Sequence, residues 1–377
     1  MIATDTKKKA NNENEIIETD DDTLEEDQGE EGLYPYDPTE ADIDIREDPQ
    51  TVFELMRKYD HGKLIIEPDF QRNLVWERTQ QSKFIESVIL NFPIPPFYVN
   101  QTREGKYIVV DGLQRTSTLY EFVNNGFKLQ GLEALKKLNG YSFSDLKNLS
   151  GDYQTKIEDK KLNLYVIRPS VPSKVVYDIF NRINTGGTNL QRQEVRNCIF
   201  LGKSTQLLKE LAESDEFKVA INQGISPKRM KDREAVLRYL AFRIFDYEKD
   251  YQGDMSNFLE TAMKKINTMK SSEIESLKDD FQRVMNITYE FFGKRNFRLP
   301  TNQTRGKISI AIFESVAYFF SIKEDLFLKQ HKTQIIDNFE RLIKNADYLD
   351  SVKNATSSKA KVISRFNLAQ EILGDIK

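Results

Sequence analysis

Residues 107–122 read YIVVDGLQRTSTLYEF. A strand-like apolar run stops at Asp111-Gly112, and Gln114, Arg115 and Thr116 follow where a helical pattern begins. A strand–turn–helix corner gathers unsatisfied backbone N–H groups and the positive end of the helix dipole. Phosphate binds readily at such a corner. Gly112 lets the backbone approach a ligand, and the Arg115 guanidinium has the geometry for paired hydrogen bonds to phosphate oxygens. Asp111 repels phosphate directly but is suited to holding magnesium or orienting a water. The opposing reading is structural: Asp111 caps the helix and Arg115 faces solvent, or the two brace the fold as a pair. No GxxxxGK[ST] occurs, so the corner is not a P-loop.

Two other stretches carry polar residues beside turn signals. In EPDFQRNLVW, residues 67–76, Gln71 and Arg72 sit between Phe70 and Trp76. In IFNRINTGGTNLQRQEVRN, residues 179–197, a helix ends near Asn184, Gly186-Gly187 turns the chain, and Thr188 with Gln191 reads as a capping box for the next helix. Arg182 and Arg196 flank this second glycine-rich helix start. Two basic stretches in the C-terminal half, SPKRMKDREAVLRYLAFR and FFGKRNFRLPTNQTRGK, offer Lys228, Arg229, Lys231, Arg295 and Arg298 to a DNA phosphate backbone. Phosphate contacts would give affinity without sequence choice.

The elements that must position these groups follow from periodicity and punctuation. Asp48-Pro49 reads as a helix cap with proline at the first helical position, leading TVFELMRKY up to Gly62. KLIIEP, FYVN, KYIVV and LNLYVI read as strands. ERTQQSKFIESVILNF, QRTSTLYEFV, SKVVYDIFNRI and NLQRQEVRNCIF read as helices. Beyond about residue 200 strand signals cease and apolar residues recur only at helical spacing. The expected fold is therefore α+β: an acidic, disordered tail over 1–44, a small α+β domain over 45–200, and an all-α domain over 201–377.

Composition narrows the chemistry. The 377 residues include one cysteine, Cys198, and two histidines, His61 and His331. An intrachain disulfide, a Cys/His zinc site and a nuclease built on several histidines are excluded within this chain. A cytoplasmic location is expected, with no membrane span and no secretory signal. Residues 1–48 carry 18 acids against 4 bases, leaving the body 41 acids and 51 bases. A basic body behind an acidic tail favours polyanion partners.

Three blocks in order, DFQRNLVWERTQQSKFIESVILNFPIPPFYV, YIVVDGLQRTSTLYEFV and FNRINTGGTNLQRQEVRN, closely resemble the GmrSD N-terminal-domain family over about residues 45–200. The resemblance implies a ParB/sulfiredoxin-like domain that binds and hydrolyses a nucleoside triphosphate, with magnesium, in a prokaryotic anti-phage restriction system acting on DNA. By it, Asp111, Gln114 and Arg115 are catalytic candidates. Gln71, Arg72, Gly112, Thr116, Arg182, Asn184, Gly186, Gly187, Glu194 and Arg196 are nucleotide-binding candidates. The family signature is Asp-Gly-Gln-Gln-Arg, and Leu113 stands here where it has its first glutamine. The cutting implied by the resemblance falls to a separate HNH-type nuclease subunit. A non-catalytic switch or adaptor that binds nucleotide or DNA is the alternative. The nucleotide, the metal ligands and the oligomeric state stay open.

Overall fold

A computed structural model describes residues 43–66, 76–183, 191–299 and 306–376. These fall into two compact units, one up to Thr205 and one from Gln206 onward.

The first unit contains β1 (Ile45–Glu47), β2 (Gln50–Thr51), α1 (Val52–Asp60), β3 (Leu64–Ile65), α2 (Arg78–Ile89), β4 (Phe97–Gln101) and β5 (Tyr107–Asp111). It continues with α3 (Leu113–Val123), α4 (Tyr153–Glu158), β6 (Lys161–Leu162), β7 (Leu164–Ile167), α5 (Ser173–Ile183) and α6 (Arg192–Ile199). Five strands form one mixed sheet in the order β1-β7-β4-β5-β3, while β2 and β6 form a separate ladder. The β4–β5 hairpin and the β1–β7 pair are antiparallel; β3–β5 and β4–β7 are parallel. Side chains alternate faces along a strand. Phe97 and Val99, Val109, and Leu164 and Val166 therefore share one face, which packs on Leu55 of α1, Ile85 and Val88 of α2, and Leu119 and Phe122 of α3. Each such burial contributes about 1.5–3 kcal/mol before the cost of ordering the chain.

The start of α1 differs from expectation. Its cap is Thr51, not Asp48, because Thr51 and Glu54 satisfy each other: the Thr51 hydroxyl accepts from the Glu54 N–H and the Glu54 carboxylate accepts from the Thr51 N–H. Asp48 is left to accept from Gln50 Nε2 and from the Tyr107 hydroxyl at 3.0 Å. The expected stop at Gly62 holds: with φ +63°, Gly62 donates to Tyr59 O and Lys63 to Lys58 O, closing the helix end. In ERTQQSKFIESVILNF the apolar residues at 84, 85, 88, 89 and 92 have the spacing of one helical stripe, and the structure buries all but Phe92, which lies past the helix end and is exposed.

From α7 (Lys203–Glu213), which crosses the junction, the chain is helical: α8 (Asp215–Ile221), α9 (Lys231–Ile244), α10 (Met255–Thr268), α11 (Ser271–Phe292), α12 (Ile310–Ser321), α13 (Asp325–Gln330), α14 (Lys332–Leu342), α15 (Ala346–Lys353) and α16 (Lys359–Leu373). The α+β class read from the sequence is thus the observed one. Apolar on almost every side, α12 is the central helix, surrounded by α9, α11, α15 and α16. Among the described residues no helix is long and apolar enough to cross a membrane.

A carboxylate sits inside this bundle. Glu314, fully buried, accepts from Arg238 Nη1 at 3.1 Å and from Arg365 Nη2; Arg238 also reaches Glu234 at 3.1 Å. Burial works against the Arg238 charge, but the Glu234 and Glu314 carboxylates outweigh it and hold its pKa up. Replacing Glu314 by Gln leaves the buried Arg365 guanidinium without a carboxylate partner among the described residues and Arg238 with Glu234 alone. It should cost about 3–5 kcal/mol, measured by urea unfolding of the full chain.

Burial, then the hydrogen bond to Asp48, pushes the Tyr107 hydroxyl up to about 12. The folded state holds this proton more tightly than the unfolded chain, whose tyrosines titrate near 10. Its contribution to stability is full below about pH 10 and is lost as pH rises toward 12. Tyr107→Phe should flatten the fall of the unfolding midpoint across that window.

Candidate functional site

The Asp111 corner is built by a bulge, a glycine and a helix start. In the β4–β5 ladder Tyr98 faces Asp111 while Val99 faces Val109, so the register shifts at the end of β5 and sets Asp111 apart from the regular pleat. Gly112 follows with φ +94°, a left-handed conformation disfavoured for side chains, and α3 begins at Leu113. A Cβ on Gly112 would lie 2.5 Å from the Phe97 ring and 3.1 Å from Arg115 Nη2. Both the conformation and the space require glycine. Having no side chain, Gly112 brings no cap to the α3 N-terminus, while its carbonyl accepts from the Thr116 N–H at 2.8 Å and from the Thr116 hydroxyl at 2.9 Å.

Arg115 is the clasp of the corner. Its guanidinium lies 4.3 Å over the Phe97 ring. Nη1 donates to the Pro95 carbonyl, and Nη2 donates to the Pro96 carbonyl at 3.1 Å and to Asp111 Oδ2 at 2.9 Å. The Arg115 side chain is 12% exposed and that of Asp111 33%. Burial pushes the Arg115 pKa below its usual value, and the Asp111 carboxylate opposes that shift. A guanidinium so held orients Asp111, and among the described residues Asp111 Oδ1 accepts no hydrogen bond. The corner therefore offers one oriented carboxylate oxygen beside an N-terminal helix turn. The clasp partners Pro95, Pro96 and Phe97 were not anticipated. The PIPP run reads from sequence only as a helix breaker, and nothing local marks its carbonyls as acceptors for a side chain 19 and 20 residues away.

The other expected residues separate into groups. Thr116 is buried at the foot of α3, and Gln114 is half-buried in the first turn of the same helix. Leu113 packs against the core. Arg182 is exposed and bonded to Asp178 at 2.9 Å on its own helix, α5. Glu194 and Arg196 are buried in α6. Glu194 closes a capping box by accepting from the Gln191 N–H at 2.7 Å, and Arg196 Nη1 donates to Gln193 at 3.2 Å. Gln71, Arg72, Asn184, Gly186, Gly187 and Thr188 lie outside the described residues.

The basic stretches of the helical unit divide as well. Lys228 is exposed, while Arg229 is half-buried with φ +57° and Lys231 is half-buried at the start of α9. Arg295 is exposed but paired with Glu340. Arg298 is 5% exposed and gives its guanidinium to the carbonyls of Lys294, Gly306 and Ile221. It is an internal brace with no surface to offer a phosphate backbone. The histidines also serve helix ends: Nδ1 of His61 donates to Arg57 O, and Nδ1 of His331 donates to Phe327 O, each at 2.8 Å. Among the described residues no group of three His, Cys, Asp or Glu side chains is arranged to hold a metal.

The first unit is thus an α+β domain whose mixed sheet ends in a glycine-turned corner carrying a clasped aspartate. Residues 52–201, which include that corner, match the family described as the GmrSD restriction endonuclease, N-terminal domain. This segment is similar to the N-terminal domain of that family. Neither the curated proteins nor the solved structures give a match to the chain.

Gly112→Ala places a methyl against Phe97 and Arg115 in a left-handed backbone. Strain of about 1–2 kcal/mol and overpacking of about 1–3 kcal/mol predict a loss of about 2–5 kcal/mol in chemical unfolding. Arg115→Ala should cost about 2–3 kcal/mol, since it removes an ion pair and two carbonyl contacts at once.

Proposed function

We propose that this chain is the nucleotide-binding component of a DNA-targeting restriction system, and that its N-terminal domain binds and hydrolyses a nucleoside triphosphate at the Asp111–Thr116 corner. The observation that carries this reading is the clasped Asp111 beside an α3 N-terminus that begins on Gly112 without a side-chain cap. The family match over residues 52–201 supplies the restriction context.

In this reading the phosphates meet the first turn of α3, where backbone N–H groups and the helix dipole favour negative charge. Gln114 adds an amide donor. Arg115, committed to the clasp, is a positioning residue for Asp111 rather than a direct phosphate ligand. Asp111 Oδ1 would hold a magnesium ion or orient the attacking water. One carboxylate with substrate phosphates and waters completing the shell is an ordinary arrangement for magnesium, which would supply charge neutralisation on the phosphates. The ParB/sulfiredoxin-like relationship of the domain belongs to the same proposal. DNA cutting is assigned to a separate HNH-type nuclease, because both histidines here close helix ends.

A second reading is a switch that binds nucleotide without breaking it. It is favoured by Leu113, which turns an apolar side chain into the core where the related signature has an amide.

Titration of each nucleoside triphosphate with magnesium, with phosphate release followed in the same samples, separates the two. Binding with release that falls at least about tenfold in Asp111→Asn, with the unfolding midpoint kept, supports hydrolysis. Binding without release supports the switch. A wild-type chain that binds no triphosphate overturns both.

A further inference from the structure

A second site is suggested at the other end of β5. Tyr107 opens that strand and Asp111 closes it, about 13 Å apart at ordinary strand rise. Beside Tyr107 a groove of about 360 Å³ runs along α1, lined among the described residues by side chains between Asp48 and Lys63. That volume lies in the range of small-ligand sites.

The acids that line the groove are already engaged. Asp48 Oδ2 accepts from Tyr107 and Gln50 and lies 3.6 Å from Lys58 Nζ. Lys58 also sits 4.5 Å over the Tyr107 ring. The Glu54 carboxylate is taken up by the backbone and hydroxyl of Thr51. Arg57 and Lys63 also line the groove; both are exposed, and among the described residues no carboxylate pairs with either. His61 stands between them in sequence. Its Nδ1 is spent on Arg57 O, which leaves Nε2 as the ring atom open to a ligand. On the inner wall, Gln50 is 5% exposed and its Oε1 accepts no hydrogen bond. The groove therefore joins unpaired cations on its rim to a buried polar wall that accepts hydrogen bonds.

We propose that this groove is a second ligand site, distinct from the Asp111 corner, for a terminal phosphate carried on a group of mononucleotide size. Arg57 and Lys63 hold the phosphate oxygens by charge-assisted hydrogen bonds, with His61 beside them. The Asp48–Gln50 wall faces the attached group and favours one bearing N–H donors. The phosphate belongs either to a free nucleoside monophosphate or to the 5′ end of a DNA strand.

The full chain is titrated by calorimetry with adenosine monophosphate, with adenosine, and with a short oligonucleotide carrying either a 5′-phosphate or a 5′-hydroxyl. The test variant is Arg57→Gln/Lys63→Gln, two exposed changes that leave Thr51, Glu54 and the core in place; Asp111→Asn is run in parallel. The expected result is binding that requires the phosphate, weakens at least tenfold in the double variant and is unchanged in Asp111→Asn. Selective binding of the monophosphate identifies a free nucleotide; a tenfold preference for the 5′-phosphorylated oligonucleotide identifies a DNA end. Binding that ignores the phosphate, survives the double variant or disappears in Asp111→Asn overturns the proposal, as does no binding of any probe. Because the triphosphate test reads Asp111, failure here leaves the reading of the corner standing, and the reverse holds too.

Discussion

The Arg115 clasp is the interaction on which the N-terminal domain turns. One guanidinium joins two carbonyls just before β4 to a carboxylate at the end of β5, and it does so over the Phe97 ring. The prolines at 95 and 96 have no N–H groups and present their carbonyls as acceptors only. Gly112 makes room for both the ring and the guanidinium. The chain can then turn sharply from β5 into α3, bury Leu119 and Phe122 against the sheet, and hold Asp111 in one orientation. Stability of the fold and geometry of the corner thus depend on the same few atoms. That is a demanding arrangement, because a side chain committed to structure is no longer free to meet a ligand.

The same commitment of cations recurs in the helical unit. Arg238 and Arg365 surround Glu314 in the bundle interior, and Arg298 closes backbone carbonyls. A buried guanidinium must be paired or hydrogen-bonded to be tolerated, and here each one is. Counting bases along the body therefore overstates the positive surface. Lys228 remains exposed, Arg295 is exposed but paired, and along α1 Arg57 and Lys63 are exposed without a carboxylate partner among the described residues. Electrostatic steering of a polyanion depends on the cations that stay at the surface, not on the total count.

Much of the local structure was legible before any coordinates. The α2 stripe at 84, 85, 88 and 89 is buried as its spacing requires, and Gly62 stops α1 in the left-handed turn that glycine favours. The change of period marks the strand-to-helix corner at Asp111-Gly112, and the α+β class follows from where strand signals end. The misplacements are equally local in origin. Asp48-Pro49 imitates a helix start, yet Thr51 and Glu54 form the better reciprocal cap three residues on. Arg298 imitates a surface cation, yet it reaches Ile221, 77 residues away in sequence.

What the sequence determined by itself is whatever depends on neighbours within about one helical turn: the helix periods, the capping pairs, the glycine turns and the strand-to-helix switch at Asp111-Gly112. Tertiary structure alone decided the order of the mixed sheet, the partners of each charged side chain, and therefore which cations face solvent. The reason is physical. Periodicity and capping are interactions between residues fixed close together by the chain. The free energy of a guanidinium depends instead on the carbonyls, carboxylates and rings that folding brings from distant segments, and no short stretch of sequence contains them.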